Sequence, residues 1–152
     1  MKVKQYDEFQ KLMRYKYGYY SFISLASLII LNYILGLFLD FHWGATKELE
    51  ILIIVYIVAL FFVNICVYHN AYFRKNDNKM ILSWLCLITG LIGLYTTYQT
   101  FLIRPEEIII DGKIGSGVIQ LFSSILFLSI PVTDFIRNKI DKKIEKKECQ
   151  HS

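Results

Sequence analysis

Charged residues are absent from four long stretches of this chain. No Asp, Glu, Lys or Arg occurs in residues 17–39, 51–73, 80–103 or 114–133, which are 23, 23, 24 and 20 residues long. Each stretch is mostly apolar, and a helix of about 20 apolar residues crosses the ~30 Å hydrocarbon core of a bilayer. A soluble helix would need a polar face, and a membrane β-strand would alternate polar and apolar residues. The sequence therefore predicts an all-α membrane protein, a bundle of four transmembrane helices.

Cysteine and the motifs of catalysis are also scarce. Two of the three cysteines lie in predicted spans and the third lies near the C-terminal end, so we predict no disulfide framework. The chain has no Cys-x-x-Cys pair, no His-Glu-x-x-His motif and no glycine-rich phosphate loop. Its three histidines are scattered over different regions, where they cannot share a metal ion. We expect a protein that is not an enzyme and that uses no cofactor or metal.

The lysines and arginines are distributed very unevenly between the segments that flank the spans. Fourteen of the 17 lie in residues 1–16, 74–79 and 134–152, and three lie in residues 40–50 and 104–113. The segments between four spans alternate sides, and short segments rich in Lys and Arg stay in the cytoplasm. The distribution predicts that both termini are cytoplasmic and that residues 40–50 and 104–113 form outer loops.

Both predicted cytoplasmic ends carry basic residues beside a span. In residues 1–16, Tyr6, Phe9 and Met13 recur at helical spacing, which predicts an amphipathic helix on the membrane surface before the chain turns into the first span at Gly18. The basic tail, residues 134–152, is predicted to extend the fourth span. Such ends attract anionic lipid headgroups and also serve as docking surfaces for a partner, but the tail has no nucleic-acid recognition motif. The candidate lipid or partner contacts are Lys11, Arg14, Lys16, Arg137, Lys139, Lys142, Lys143, Lys146 and Lys147.

Four amide side chains lie inside the predicted spans, where an unpaired polar group costs free energy. Asn32, Gln99 and Gln120 are about eight, five and seven residues from the outer ends of their spans, which places them at similar depth. We predict that these three form one polar cluster, with Asn64 apart in the inner half of the second span. The cluster is either a set of interhelical hydrogen bonds, which we favour, or a small polar cavity that accepts a ligand.

Short motifs in the first half of the chain carry a resemblance to a known family. They are residues 7–10 (Asp-Glu-Phe-Gln), residues 18–22 (Gly-Tyr-Tyr-Ser-Phe) and residues 70–72 (Asn-Ala-Tyr). With these motifs the chain resembles a group of uncharacterised four-span integral membrane proteins of Gram-positive bacteria. The resemblance implies four spans and a place in the cell membrane, and it implies no particular activity.

These observations predict a non-enzymatic accessory or regulatory protein that acts through protein or lipid contacts. Its partner would be another membrane protein or a cytosolic regulator, and a variant of this hypothesis is an immunity protein that shields the membrane from a toxin. The alternative is a small transporter or channel-like homo-oligomer that uses the amide cluster. No charge lies in any predicted span, and ion- or proton-coupled transporters generally need an intramembrane carboxylate, which counts against the alternative.

Overall fold

The computed structural model describes residues 7–73 and 78–151, with the side chains described up to residue 143. Within these residues are four helices that are long and apolar enough to cross a membrane, which confirms the predicted all-α fold with four helices of transmembrane length. The helices are α1 (Glu8–Phe38), α2 (Lys47–Tyr68), α3 (Lys79–Ile103) and α4 (Val118–His151). Predictions that involve residues 1–6, residues 74–77 or the side chains of Lys146 and Lys147 lie outside the described residues.

Helix α1 is one continuous helix of 31 residues. It begins with a capping box, in which the Asp7 side chain accepts from the Gln10 backbone N–H and Gln10 Oε1 accepts from the Asp7 N–H at 3.2 Å. The helix does not break at Gly18, so the predicted turn between a surface helix and the first span is wrong. At about 1.5 Å per residue, α1 exceeds the thickness of a hydrocarbon core and extends beyond it.

Helix α2 begins and ends earlier than the predicted span of residues 51–73. Thr46 caps its start, because Thr46 Oγ1 accepts from the Leu49 backbone N–H at 3.3 Å. At the other end Asn70 adopts a left-handed conformation with φ 54°, which stops the helix. The N–H groups of Ala71 and Tyr72 then bond back to the Cys66 carbonyl at 2.7 and 3.1 Å. Residues 69–73 therefore form a compact end to the helix.

A β-hairpin lies between α3 and α4, so α4 starts four residues later than the predicted span of residues 114–133. A single turn of 3-10 helix, Pro105–Glu107, follows α3 and leads into β1 (Ile109–Ile110), which pairs antiparallel with β2 (Lys113–Ile114). The positive φ angles of Asp111 (49°) and Gly112 (76°) are those of a tight two-residue hairpin turn. Helix α4 then continues through Pro131 and the predicted basic tail as far as His151.

The four helices pack through three main interfaces, α1 on α2, α2 on α4 and α4 on α3. Two glycines of α3 face α4 closely. A Cβ on Gly90 would lie 2.5 Å from Leu128 Cγ, and a Cβ on Gly93 would clash with Ser124 Oγ. Small residues at such positions let helix backbones approach in a membrane, and both glycines are buried. A core of Val67, Phe73 and Ile130 joins α2 to α4.

The connections between the helices define two ends of the molecule. At the loop end, formed by residues 39–46 and 104–117, the two connections bond to each other. The Ala45 N–H donates to the Ile114 carbonyl at 2.8 Å, and the Ile114 N–H donates to the Trp43 carbonyl at 3.0 Å. The termini end is the opposite end, where α1 begins and residues 69–73 lie. There Gln10 Nε2 donates to the Asn70 carbonyl at 2.7 Å.

Candidate functional site

A buried carboxylate lies at the loop end of the interface between α1 and α2. Glu50 is in the first turns of α2 and is only 2% exposed. Its Oε2 accepts a hydrogen bond from Asn32 Nδ2 of α1 at 2.8 Å, and its Oε1 accepts one from the Gly44 backbone N–H at 3.0 Å. Burying a carboxylate is costly unless it is hydrogen-bonded, and these two bonds are charge-assisted. Glu50 thereby connects α1, the α1–α2 loop and α2.

Asn32 extends this arrangement to the loop tryptophan. While its amide nitrogen donates to Glu50, its Oδ1 accepts from Trp43 Nε1 at 2.8 Å. Both ends of the amide are therefore used, and the indole N–H has the partner that a tryptophan in an apolar setting needs. The Trp43 carbonyl in turn accepts from the Ile114 N–H of the hairpin. The chain of bonds runs from Glu50 through Asn32 and Trp43 to the α3–α4 connection.

His42 also lies beside Glu50, but farther from the carboxylate than the two hydrogen-bond donors. Its Nδ1 lies 3.7 Å from Glu50 Oε1, and this buried atom has no hydrogen-bond partner among the described residues. The imidazole ring fits against α1 because Gly36 has no side chain, since a Cβ there would lie 2.9 Å from His42 Cε1. Gly44 is required in the same way, because its Cβ would lie 2.7 Å from Glu50 Cγ. Two glycines thus make the space in which His42 and Glu50 meet.

A cavity of about 340 Å³ adjoins these residues. Besides Asn32, His42 and Glu50, its lining includes Asp40 and Lys47, so charged groups of both signs face it. The arrangement offers a carboxylate that accepts two hydrogen bonds and a nearby imidazole nitrogen without a hydrogen-bond partner among the described residues. In the described part of the chain no three His, Cys, Asp or Glu side chains come together as a metal site requires.

The structure does not bring the predicted amide cluster together. Gln120 Nε2 donates to Thr96 Oγ1 at 3.3 Å and links α4 to α3, whereas Gln99 Nε2 donates to Tyr95 Oη at 2.9 Å within α3. Asn32 bonds instead to Glu50 and Trp43. Equal depth in the membrane says nothing about which face of a helix a residue occupies, and these three amides face different neighbours.

Asn64 lies apart from the other amides, at the α2–α4 interface. Its Oδ1 accepts from Thr133 Oγ1 at 2.7 Å, and its Nδ2 donates to the Leu60 carbonyl of its own helix at 2.8 Å. The amide therefore has partners for both its donor and its acceptor, as a packing contact between spans requires.

Glu50 is the site residue that sequence reasoning missed. The predicted span began at residue 51, the first position after the last charge, and this placed Glu50 in the loop. The signal that locates it is Thr46, a good N-cap residue, which starts the helix at Lys47 and puts Glu50 one turn inside. An acidic residue one turn after a cap, beside a long apolar run, is a candidate for burial against the neighbouring span.

The described basic candidates all lie at or near the termini end. Arg137 Nε donates to Asp141 Oδ2 at 3.2 Å, and its guanidinium carbon lies 5.5 Å from the centre of the Tyr68 ring. Lys16 Nζ lies 5.9 Å from the centre of the Tyr17 ring. Among these candidates the exposed lysines are Lys11, Lys16, Lys139, Lys142 and Lys143, and Arg14 is half-buried. This end therefore presents a basic surface built from α1 and α4.

Comparison with family models, with curated proteins and with solved structures finds no match to this chain.

Proposed function

We propose that the chain is a multi-pass protein of the cell membrane with both termini in the cytoplasm. The lysines and arginines support this orientation, because 14 of the 17 lie in residues 1–16, 74–79 and 134–152, and short segments rich in Lys and Arg stay in the cytoplasm. The resemblance of the first half to four-span proteins of Gram-positive bacteria supports the cell membrane as its location. In this orientation the Glu50 site and its cavity face the outside, and the basic surface faces anionic lipid headgroups.

We further propose that the protein is a non-enzymatic accessory or regulatory protein that acts by contact with a second protein or with lipid. The observation that carries this proposal is the position of α1, which packs mainly on α2 and has no buried residue. Exposed apolar side chains run along its length, among them Phe22, Ile30 and Leu37. An uncovered helix of this kind is available to a helix of a partner, to a second copy or to lipid. An immunity protein that shields the membrane is one form of this function.

Site-specific photo-crosslinking tests the α1 proposal. A photoreactive residue at Ile23 or Ile30 points away from α2, while one at Leu25 lines the contact with Val58 and Phe62 of α2. We expect the two outward positions to give the same protein adduct, or a dimer, in intact membranes. Leu25 serves as the matched control and should give only an internal crosslink. Exclusive lipid adducts at both outward positions would refute binding of a protein through α1.

A transporter or channel-like oligomer is the second candidate, and Glu50 favours it. Its buried carboxylate adjoins a cavity of about 340 Å³, and coupled transporters generally use an acidic group of this kind. Flux of protons, Na⁺ and K⁺ into liposomes separates the two functions. The accessory-protein proposal predicts that liposomes containing the protein take up these ions no faster than liposomes without protein. Flux that is present in the wild type, lost in Glu50→Gln and kept in Glu106→Gln would establish the transporter instead.

A further inference from the structure

A groove between α3 and α4 opens at the termini end. The two helices are in close contact where Gly90 meets Leu128, and one turn further on Leu87 and Pro131 line an open space between them. The space that results has a volume of about 540 Å³ and runs to Lys79 and Asn138. Where glycine gives way to larger residues, side chains hold the backbones apart. The groove is therefore formed by the packing of α3 on α4, and every described residue that lines it belongs to one of these two helices.

The groove is apolar along most of its length. Met80, Trp84, Val132 and Phe135 line it, and each of these side chains is more than half exposed. Polar groups gather at the end nearest the termini, where Lys79 and Asp134 also line the groove. In a membrane an apolar wall with a polar mouth fits an amphiphile whose chains run beside the wall.

The two charges at the mouth are not neutralised by each other. Lys79 Nζ donates to Asn70 Oδ1 at 3.1 Å, and Asp134 Oδ2 accepts from Asn138 Nδ2 at 3.3 Å. In the part of the chain that is described, neither forms an ion pair. An ammonium has three donors and a carboxylate about four acceptor positions, so both groups keep capacity for a ligand. Lys79 directly precedes one apolar run and Asp134 directly follows another, which places both at headgroup level.

We propose that this groove binds one phospholipid whose headgroup carries both a phosphate and a primary ammonium. The phosphate accepts from Lys79, the ammonium donates to Asp134, and the acyl chains lie along Trp84 and Val132. The two opposite charges of the groove complement the two charges of this headgroup. An anionic lipid has no ammonium for Asp134 and would place a second negative charge beside it. A choline headgroup has no N–H to donate to the carboxylate. The proposal rests on the proposed membrane insertion and gives the lipid contact a specific site.

Native mass spectrometry of the full chain, released from nanodiscs of equal phosphatidylethanolamine, phosphatidylcholine and phosphatidylglycerol, tests the proposal. We expect the wild type to retain one phosphatidylethanolamine, preferred about tenfold, the factor that one charge-assisted hydrogen bond supplies. Asp134→Asn should abolish the preference for phosphatidylethanolamine, and Lys79→Gln should weaken retention of all three lipids. Asp141→Asn is the matched control on the same helix, because Asp141 pairs with Arg137 and does not line the groove.

Three results would overturn the lipid site. They are preferred retention of phosphatidylglycerol, a headgroup preference that survives Asp134→Asn, and a photo-crosslink from Trp84 that goes to a protein instead of to lipid. Extraction of the chain from membranes by alkaline carbonate separates the two levels of the proposal. A protein that stays in the membrane but shows no lipid preference refutes only the groove, whereas a protein that is extracted refutes the membrane insertion on which both proposals rest.

Discussion

Asn32 of α1 donates a hydrogen bond from its amide nitrogen to Oε2 of Glu50 in α2, across 2.8 Å. This contact joins two neighbouring helices at a position where Glu50 is 2% exposed. Its loss on either side leaves a polar group without its partner in an apolar setting, which costs more than the bond itself contributes. The contact therefore ties the stability of the α1–α2 interface to the geometry of the Glu50 site.

The Asn32–Glu50 pair should show strong energetic coupling. We expect Asn32→Leu and Glu50→Leu each to destabilise the protein by about 1–3 kcal/mol, because each leaves a buried group unsatisfied. The double variant should cost less than the two single changes together, with a coupling energy of about 0.5–3 kcal/mol. Unfolding of the purified protein in mixed micelles measures all three. Glu106→Gln, on an exposed residue of the loop end, is the control and should leave stability unchanged. Additive costs would show that the two residues act independently.

Gly36 should be needed for the position of His42. A Cβ at Gly36 would lie 2.9 Å from His42 Cε1, so we expect Gly36→Ala to displace the ring and lower the midpoint of thermal unfolding. Adding His42→Ala should restore much of the loss, because the obstructing ring is then gone. If Gly36→Ala is equally destabilising with and without His42, the effect lies in the helix and not in this contact.

The membrane orientation can be tested with single cysteines. In a Cys149→Ser background, Cys66 is buried and Cys86 is half-buried within α3, so added cysteines at exposed positions dominate labelling. We expect a membrane-impermeant maleimide to label Glu106→Cys at the loop end in intact cells. Asn138→Cys at the termini end should react only after permeabilisation. Labelling of Asn138→Cys in intact cells would reverse the proposed orientation.

The number and kind of the helices could be predicted, but their ends and their contacts could not. Four uncharged runs of this length have only one low-cost conformation in lipid, and the structure has a helix at each. The end of α2 depends on the left-handed backbone of Asn70, and a run of apolar residues does not reveal that conformation. The prediction of an amide cluster was wrong, because the depth of a residue in the membrane does not determine the direction of its side chain. The predicted start of the second span excludes Glu50, because a charged residue normally ends an apolar run. The burial of Glu50 depends on Asn32, a partner 18 positions earlier in the chain.

The amides should differ in what they contribute to stability. Asn64 bonds across an interface to Thr133, so we expect Asn64→Leu to cost about 0.6–2 kcal/mol. Among the described residues, the Gln99 side chain bonds to Tyr95 of its own helix and to no other helix, so Gln99→Leu should leave the midpoint of unfolding nearly unchanged. The comparison bears directly on function. If a transporter needs the amide, its replacement by leucine would reduce flux without lowering stability. Equal destabilisation by both changes would mean that Gln99 has an interhelical partner in the membrane.

The close contact of α3 with α4 should depend on Gly90. A Cβ there would lie 2.5 Å from Leu128 Cγ and 3.1 Å from the Leu128 backbone nitrogen, and the backbone nitrogen cannot move aside without shifting α4. We expect Gly90→Ala to cost about 1–3 kcal/mol in micelle unfolding, the usual penalty for overpacking a tight interface. Gly18→Ala is the matched control, because its Cβ would meet only Phe62 Cε2 at an ordinary 3.8 Å, and it should be tolerated. Adding Leu128→Ala to Gly90→Ala should relieve the side-chain part of the clash but not the backbone part, so stability should be only partly restored.

Since the α3–α4 groove opens just beyond this contact, Gly90→Ala should also widen the groove and weaken lipid retention. A Gly90→Ala protein as stable as Gly18→Ala, with lipid retention intact, would show that this contact does not set the spacing of the two helices.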